Sequence, residues 1–271
     1  MKDLIIGCIN NYHPEQIKVW VNSINSCGFT GDKAVISFGV PTETINYLID
    51  NGFIVLESKL ENWEFIHNRR FLDIWHYLES AEPYRYVIAT DVRDVLFQSN
   101  PSEWLESNLK KPILASSECI KIKDEDWNNR NVLLNYPHVY PYVNEGEACN
   151  VGTLAGTGEE FKHFCLHLYH FIITKSESIE TYADQAAFNC FVHMKHFKDL
   201  IQLVSSEEGW CCQLGTTLDP RIKDAYAPLL LEPVPTLVGD IITTSYGKAY
   251  ALVHQYDRVP EFKNILESKY A

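Results

Sequence analysis

The sequence predicts an α/β protein with a Rossmann-like, mostly parallel central sheet flanked by helices. Three short apolar runs alternate with two helical patterns near the start of the chain, and the segments that join them are short. This β-α-β-α-β order favours parallel strands, because each helical crossover returns the chain to the same edge of the sheet. The 271 residues suit one large domain or two small ones.

The elements of the first hundred residues follow from apolar runs and from helix-end signals. Proline suits the first turn of a helix, and glycine or Asn-Gly suits its end. The predicted elements are a strand over Leu4–Ile9, a helix from Pro14 that Gly28 closes, a strand over Lys33–Phe38, a helix over Thr42–Asp50, a strand over Phe53–Leu56, a helix over Asn62–Ser80 and a buried strand over Val87–Ala89.

The rest of the chain continues this pattern with one long interruption. Residues 121–142 are polar and rich in Asn, Asp and Pro, which predicts a long ordered loop of the kind that carries binding functions. Small residues in Ala148–Gly158 permit close approach of a ligand. The other predicted elements are helices over Ser102–Asn108, Glu159–Thr174, Ile179–His193 and Pro260–Lys269, and strands over Ile113–Ser117 and Ile201–Val204.

The charge of the chain restricts its partners. The net charge is −13, so no basic field would gather the phosphates of nucleic acid or of an anionic membrane. A small phosphate-bearing ligand would therefore need local cations, either a metal ion or the side chains of Arg69, Arg70 and Arg93.

The N-terminus and the cysteines favour a cytoplasmic protein. The first apolar run is too short for a signal-peptide core, and no apolar stretch is long enough to span a bilayer. None of the eight cysteines forms a Cys-x-x-Cys pair, which disfavours a zinc site. We expect most of them to be reduced, buried thiols.

Two acids follow the strand over Val87–Ala89, in the segment Thr90-Asp-Val-Arg-Asp94. Ligands of open α/β sheets lie at the carboxyl ends of strands, and Asp91 and Asp94 would share one face if the chain turned helically there. Two carboxylates on a tight turn can hold a divalent cation, which in turn holds a phosphate. The alternative is an Asp N-cap followed by a surface ion pair with Arg93. The sequence has no glycine-rich phosphate loop, so a diphosphate bound here would need the metal.

Several segments together resemble the GT-A-type glycosyltransferases, the nucleotide-diphospho-sugar transferase fold. The resemblance covers most of the chain and rests on the N-terminal α/β half, Thr90–Asp94, Asn150-Val-Gly152, Asp184-Gln185 and Val253-His254. It implies a single GT-A-type domain, with a nucleotide-binding half over residues 1–100 and an acceptor- and sugar-binding half over residues 101–271. It also implies a Mn²⁺ or Mg²⁺ cofactor, a UDP- or GDP-sugar donor and a glycan or glycoprotein acceptor.

The resemblance also implies roles for particular residues. Such enzymes hold the metal with an Asp-x-Asp motif and often a late histidine, here Asp91, Asp94 and His254. The acids of this sequence have two residues between them, which leaves open which one binds the metal and which touches the ribose. A hydrogen-bonded core or surface histidine is the alternative for His254.

The catalytic and donor-binding candidates come from the same segments. Asp184 is a candidate base or donor-sugar contact, with a structural carboxylate as the alternative, and Glu118 and Glu145 are further candidate bases. Trp127 and Trp210 are candidate sugar-stacking platforms. The remaining donor-binding candidates are Cys8, Asn10, Tyr12, Arg69, Arg70, Asp73, Asp91, Arg93, Asn150, Gly152 and Gln185.

Two other functions remain open at this point. A non-catalytic carbohydrate- or nucleotide-binding relative would keep the fold and lack turnover, and the altered acid spacing favours it. A sugar-1-phosphate nucleotidyltransferase is disfavoured, because the glycine-rich N-terminal loop with Arg and Lys that such enzymes use is absent.

Overall fold

The computed structural model describes residues 1–60, 64–175 and 182–270. The strands of this part of the chain are short, and most are apolar and buried. In chain order they are β1 (Leu4–Asn10), β2 (Asp32–Phe38), β3 (Ile54–Ser58), β4 (Tyr86–Thr90), β5 (Val95–Phe97), β6 (Ile113–Lys121), β7 (Glu147–Thr157), β8 (Ile201–Val204), β9 (Cys211–Gln213), β10 (Thr236–Val238), β11 (Ile241–Thr243) and β12 (Leu252–His254).

The helices fall between the strands. Pro14 and Pro101 occupy the first turns of two of them, and the Asn100 side chain accepts a hydrogen bond from the Ser102 backbone at the start of the second. The α-helices are α1 (Pro14–Ser26), α2 (Thr42–Asp50), α3 (Ile66–Ser80), α4 (Pro101–Asn108), α5 (Asp126–Asn135), α6 (Tyr140–Val143), α7 (Gly158–Ile172), α8 (Asp184–His193), α9 (Leu214–Thr217), α10 (Lys223–Tyr226) and α11 (Pro260–Lys269).

Seven strands form a mixed central sheet in the order β3-β2-β1-β4-β7-β6-β8. Strand β7 runs antiparallel to both of its neighbours, while the β1–β2, β1–β4, β2–β3 and β6–β8 pairs are parallel. The predicted α/β fold with a mostly parallel central sheet is therefore confirmed. Thr90 at the end of β4 pairs with Thr153 of the antiparallel strand β7. Residues 150–152 of β7 therefore lie beside the turn that follows β4, at the edge where β1 and β4 end.

Helices cover both faces of this sheet. Successive residues of β1 belong to different cores: Leu4 and Ile6 pack in one apolar cluster, while Ile5 and Ile9 pack in the other. This alternation follows from the two-residue period of a strand, and it explains why the strand is an unbroken apolar run. A separate sheet of three strands, β5-β12-β9, packs beside the carboxyl end of β4.

The prediction of a long loop over residues 121–142 is wrong. This segment contains a short 3₁₀ turn, helix α5 and the start of α6. The buried face of α5 consists of Asn128, Asn131, Val132 and Asn135, so the helix buries amides where most helices bury apolar side chains. The hydrophobic period of a helix is therefore missing from the sequence, although the spacing of the buried residues is helical.

Most of the other predicted elements are found with shifted ends, while the helix over Thr42–Asp50 and the strand over Ile201–Val204 have the predicted bounds. The small-residue segment over Ala148–Gly158 lies almost entirely in strand β7. Helices α3 and α8 begin later than predicted, and the predicted starts at Asn62 and Ile179 lie outside the described residues. The helix over Pro260–Lys269 has the predicted bounds.

Two further expectations concern the cysteines and the membrane. All eight thiols are free, and six of them are buried, while Cys8 and Cys27 are half-buried. Among the described residues, no helix combines the length and apolarity that crossing a bilayer requires.

Candidate functional site

A cleft of about 690 Å³ opens at the carboxyl ends of β1 and β4. This is the edge at which open α/β sheets bind their ligands. Residues after β1, the turn after β4, the middle of β6, the start of β7, the first turn of α8 and the end of β12 contribute to its walls. Residues far apart in sequence therefore share one cavity of a size typical for small-molecule ligands.

The turn that carries the two acids is fixed by its neighbours on both sides. Val92 is buried and packs where Gly7 of β1 lacks a side chain, since a Cβ on Gly7 would lie 2.4 Å from Val92. The Asp91 backbone N–H donates to the Gly152 carbonyl, and the Asp94 carbonyl accepts from the Gln255 N–H. The two acids therefore converge on a bend that apolar packing and backbone hydrogen bonds hold in place. The helical turn considered from the sequence is not formed at residues 91–94.

The small three-stranded sheet delivers His254 to the same point. In its register, His254 of β12 lies opposite Val95, the residue directly after Asp94, and on its other side lies opposite Gln213 of β9. The His254 side chain is buried. Its position at the end of β12 therefore depends on two strand pairings that join distant parts of the chain.

The ligand atoms of Asp91, Asp94 and His254 lie within 4.8 Å of one another. His254 Nε2 is 3.6 Å from Asp91 Oδ2 and 3.7 Å from Asp94 Oδ1, which is too long for hydrogen bonds. The second oxygen of each acid faces an arginine: Asp91 Oδ1 accepts from Arg70 at 2.6 Å, and Asp94 Oδ2 is 3.6 Å from Arg93. The ion pair with Arg93, the alternative considered from sequence, therefore leaves Asp94 Oδ1 facing the other two groups.

Burial and charge act on the three groups in opposing ways. Burial alone would raise the pKa of Asp91, but the Arg70 guanidinium and the His254 imidazole outweigh it and hold the pKa below its usual range. Burial raises the pKa of Asp94, and the neighbouring Asp91 carboxylate adds to that rise. Burial would lower the pKa of His254, but the two carboxylates outweigh it and raise the pKa. Added positive charge, as a proton or as a cation, should therefore stabilise this group.

The chemistry of these donors fits a divalent metal ion. Gln213 Oε1 lies 2.7 Å from His254 Nδ1, and a carbonyl oxygen can only accept, so Nδ1 carries the proton. The lone pair of Nε2 then faces the two carboxylate oxygens. Two carboxylates and one imidazole could hold Mn²⁺ or another divalent cation, with the remaining coordination positions open to the cleft.

Arg70 joins the metal group to the start of α8. Its guanidinium donates to Asp91 at 2.6 Å and to Asp184 at 2.8 Å, and the arginine is only 8% exposed. A buried arginine that bridges two carboxylates restricts the positions of both acids. Asp184, a predicted base or sugar contact, therefore lies one side chain away from Asp91.

A network of amides surrounds the buried carboxylate of Glu118. Its Oε1 accepts from Asn150 at 2.7 Å and from Gln185 at 3.1 Å, and its Oε2 accepts from Asn128 at 2.8 Å. Burial, with a smaller contribution from Glu125, raises the pKa of Glu118. A register shift in β6 and the positive φ of Cys119 (62°) accompany the turn of this side chain into the cleft.

The cleft brings together most of the predicted site residues. Helix α8 contributes Asp184 and Gln185, strand β7 contributes Asn150 and Gly152, and the segment after β1 contributes the ring of Tyr12. The predicted residues that line the cleft are Cys8, Asn10, Tyr12, Arg70, Asp91, Arg93, Asp94, Glu118, Trp127, Asn150, Gly152, Asp184, Gln185 and His254.

Four other candidates lie elsewhere in the structure. Arg69 pairs with Glu64 and Asp73, and neither Arg69 nor Asp73 lines the cleft. Glu145 is exposed and pairs with two surface lysines. Trp210 is fully buried against Trp104 in the core. None of these four candidates lines the cleft, and their roles stay predictions.

Several residues of the cleft and its support were not predicted. Asn128 and Glu125 belong to the segment interpreted as a loop, and Gln213 contacts His254 because the pairing of β9 with β12 places the two side by side. A helical spacing of amides was the available signal for Asn128. No local pattern marks Gln213, because its partner is 41 positions away.

Comparison with known proteins adds no family assignment. The chain matches no protein-family model, and no curated protein aligns with it significantly.

Proposed function

We propose that this protein is a metal-dependent glycosyltransferase that moves a sugar from a UDP- or GDP-sugar to a hydroxyl group of a glycan or glycoprotein. The convergence of Asp91, Asp94 and His254 at a strand-end cleft supports this proposal. The resemblance of the sequence to GT-A-type enzymes adds the class of reaction. The protein's own charge supports the need for a cation, since an acidic chain repels a diphosphate.

Glycosyl transfer breaks the bond between an anomeric carbon and a diphosphate. A bound Mn²⁺ or Mg²⁺ would neutralise the negative charge that grows on the leaving phosphate. In this proposal Asp91, Asp94 and His254 hold the cation. Tyr12, half-buried after β1, stacks on the nucleobase.

The polar wall of the cleft provides groups for a sugar. Arg70 and the Asp184–Gln185 pair lie beside the acids, and Glu118 lies behind Gln185 and Asn150. Asp184 is our first candidate for the base that deprotonates the acceptor hydroxyl, and Glu118 is the second. Asp184→Asn should lower kcat more than it weakens donor binding if Asp184 is the base, whereas a proportional loss of both would assign it to donor contact.

Release of nucleoside diphosphate tests the proposal. The wild-type protein, mixed with a panel of UDP- and GDP-sugars and glycan acceptors, should release UDP or GDP only with Mn²⁺ or Mg²⁺ present. Asp94→Asn and His254→Gln should remove both the release and the Mn²⁺-dependent rise in melting temperature. Exposed Asp199 and His163 supply matched controls, and Asp199→Asn and His163→Gln should retain both.

Other outcomes identify the alternatives. Metal-dependent binding of a sugar nucleotide without turnover would indicate the non-catalytic relative. Pyrophosphate release from a nucleoside triphosphate and a sugar 1-phosphate would indicate the nucleotidyltransferase. Absence of any Mn²⁺-dependent binding would contradict the metal site itself.

A further inference from the structure

We infer that Gln213 is a positioning residue, which fixes the tautomer of His254 and thereby sets the metal preference of the site. The inference rests on the metal group of the proposed function, but it concerns a residue outside that group. Gln213 is fully buried at the end of β9, one strand away from His254. It does not line the cleft, so direct contact with a ligand does not explain a buried amide at this position.

The hydrogen bonds of Gln213 give its amide one orientation. Its Nε2 donates to Ser116 Oγ and Thr153 Oγ1, both at 3.3 Å, and its Oε1 lies 2.7 Å from His254 Nδ1. Ser116 Oγ directs its own proton to the Cys211 carbonyl at 3.5 Å, so it accepts from Gln213 and favours this orientation of the amide. These two hydroxyls belong to β6 and β7 of the central sheet. The central sheet therefore orients Gln213, and Gln213 in turn orients the imidazole.

The tautomer decides whether His254 can act as a ligand. With the proton on Nδ1, the lone pair of Nε2 faces Asp91 Oδ2 and Asp94 Oδ1 at 3.6 and 3.7 Å. With the proton on Nε2, the same ring would present a hydrogen to the space between the acids, and no lone pair would remain there for a metal. Substitution of a residue that hydrogen-bonds a metal-binding histidine typically lowers metal affinity by about 10- to 100-fold.

An oriented imidazole should also affect which cation binds. Mg²⁺ prefers oxygen ligands and water, whereas Mn²⁺ and later transition metals gain more from a nitrogen ligand. Loss of the His254 orientation should therefore weaken Mn²⁺ more than Mg²⁺. A general loss of folding would weaken both cations together, so the ratio of the two affinities separates positioning from stability.

Two substitutions of similar size isolate the acceptor oxygen. Gln213→Met keeps the length of the side chain and removes the acceptor. Gln213→Glu keeps an acceptor for Nδ1–H, and the hydroxyls of Ser116 and Thr153 can rotate to donate to the new carboxylate. Both variants lose the amide N–H, and Gln213→Glu adds a negative charge that attracts Mn²⁺ and Mg²⁺ alike, so the change in the Mn²⁺/Mg²⁺ ratio reports on the oxygen that faces His254.

Calorimetric titration with Mn²⁺ and with Mg²⁺, without nucleotide, tests the inference. We expect Gln213→Met to lose about 10- to 100-fold in Mn²⁺ affinity and to lower the Mn²⁺/Mg²⁺ preference, and Gln213→Glu to restore both. Nitrogen NMR of the metal-free wild-type protein at alkaline pH should show the proton of His254 on Nδ1.

Three results would overturn the inference. They are a proton on Nε2 in the wild type, equal Mn²⁺ affinity in Gln213→Met and wild type, and an equal loss in Gln213→Met and Gln213→Glu. Failure of the proposed function is distinguishable, because a wild-type protein that binds Mn²⁺ through an oriented His254 but transfers no sugar would retain the role of Gln213. A wild type without Mn²⁺ affinity would remove both.

Discussion

Gly152 lies against the Asp91 carboxylate in a space that admits no side chain. A Cβ at this position would lie 2.4 Å from Asp91 Oδ2 and 2.9 Å from Asn150 Oδ1. Asp91 Oδ2 is the oxygen that faces His254, and Arg70 holds the other oxygen, so the carboxylate has little freedom to move aside. The missing side chain of Gly152 therefore serves the geometry of the candidate metal group.

Gly152→Ala should weaken Mn²⁺ binding by at least about tenfold, since a displacement of 1 Å at a ligand forfeits most of its coordination. The metal-free protein should also lose about 1–3 kcal/mol of unfolding free energy, because the added methyl group overpacks a space that Asp91 and Asn150 already fill. Calorimetric titration and thermal unfolding in chelator measure the two quantities. Unchanged Mn²⁺ affinity would remove Asp91 from the ligands.

His254 gives the metal-free protein a pH dependence of known sign. Its pKa is raised in the folded state, because the carboxylates of Asp91 and Asp94 outweigh burial. Stability from the protonated imidazole is therefore fully present below the unfolded value of about 6.5, and it is lost as the pH rises through the folded pKa. Mn²⁺ acts in the opposite direction, since it binds the neutral imidazole.

In chelator, the melting temperature of the wild type should fall over this pH window more steeply than that of His254→Gln. With saturating Mn²⁺ the stabilisation should increase as the pH rises, because protons compete with the metal for His254. Thermal unfolding across pH, with and without Mn²⁺, measures both effects. Parallel pH profiles for wild type and His254→Gln would contradict the coupling of His254 to the two acids.

Helix α3 places two adjacent arginines in different networks. Arg70 lies between Asp91 and Asp184, whereas Arg69 lies between Glu64 and Asp73. The Arg70 side chain is 9% exposed and the Arg69 side chain 20% exposed, so both arginines form ion pairs that are largely removed from water. Of these two adjacent arginines, Arg70 is the one that pairs with an acid of the metal group.

Arg70→Met should cost about 3–5 kcal/mol of unfolding free energy, as the loss of one partner of a buried ion pair does. Mn²⁺ should then raise the melting temperature of Arg70→Met more than that of the wild type, because the cation replaces the missing charge beside Asp91. Arg69→Met should show the wild-type response to Mn²⁺. A smaller Mn²⁺ response in Arg70→Met would mean that Arg70 orients Asp91 more than it neutralises it.

At the level of elements, the sequence predicted what local pattern encodes. The apolar runs of β1, β2 and β4 and the proline-led helices α1 and α11 were found, because each depends on residues within one segment. Helix α5 was missed because it buries amides. The sheet β5-β12-β9 was not predicted, because its strands have three residues each and pair over long distances.

The same distinction applies to the site. Asp91 and Asp94 could be predicted from a strand that ends in acids, and His254 from the resemblance to a family pattern. Their meeting point depends on pairings between β4 and β7 and between β5, β12 and β9, which no short stretch of sequence specifies. The contact of Gln213 with His254 likewise depends on strand pairing, so it could not be predicted from local sequence.

The whole molecule is acidic, and this charge should oppose its proposed ligand. A net charge of −13 repels a free nucleoside diphosphate and attracts a divalent cation before either reaches the cleft. Salt shortens the range of both effects, from a screening length of about 30 Å at 0.01 M to about 10 Å at 0.1 M. The two ligands should therefore respond to salt in opposite directions.

Between about 0.01 M and about 0.1 M potassium chloride, the affinity for Mn²⁺ alone should fall as salt is added, because salt screens the attraction. The affinity for UDP or GDP alone should rise, because salt screens the repulsion. With Mn²⁺ saturating, the salt dependence of nucleotide affinity should flatten, because the cation offsets the charge that the nucleotide meets in the cleft. Calorimetric titration at several salt concentrations measures all three trends, with Asp94→Asn as the variant in which Mn²⁺ should no longer flatten the nucleotide response. If nucleotide affinity falls with salt in the absence of metal, the cleft arginines are the main contacts of the diphosphate. The cation would then not be the main determinant of nucleotide binding.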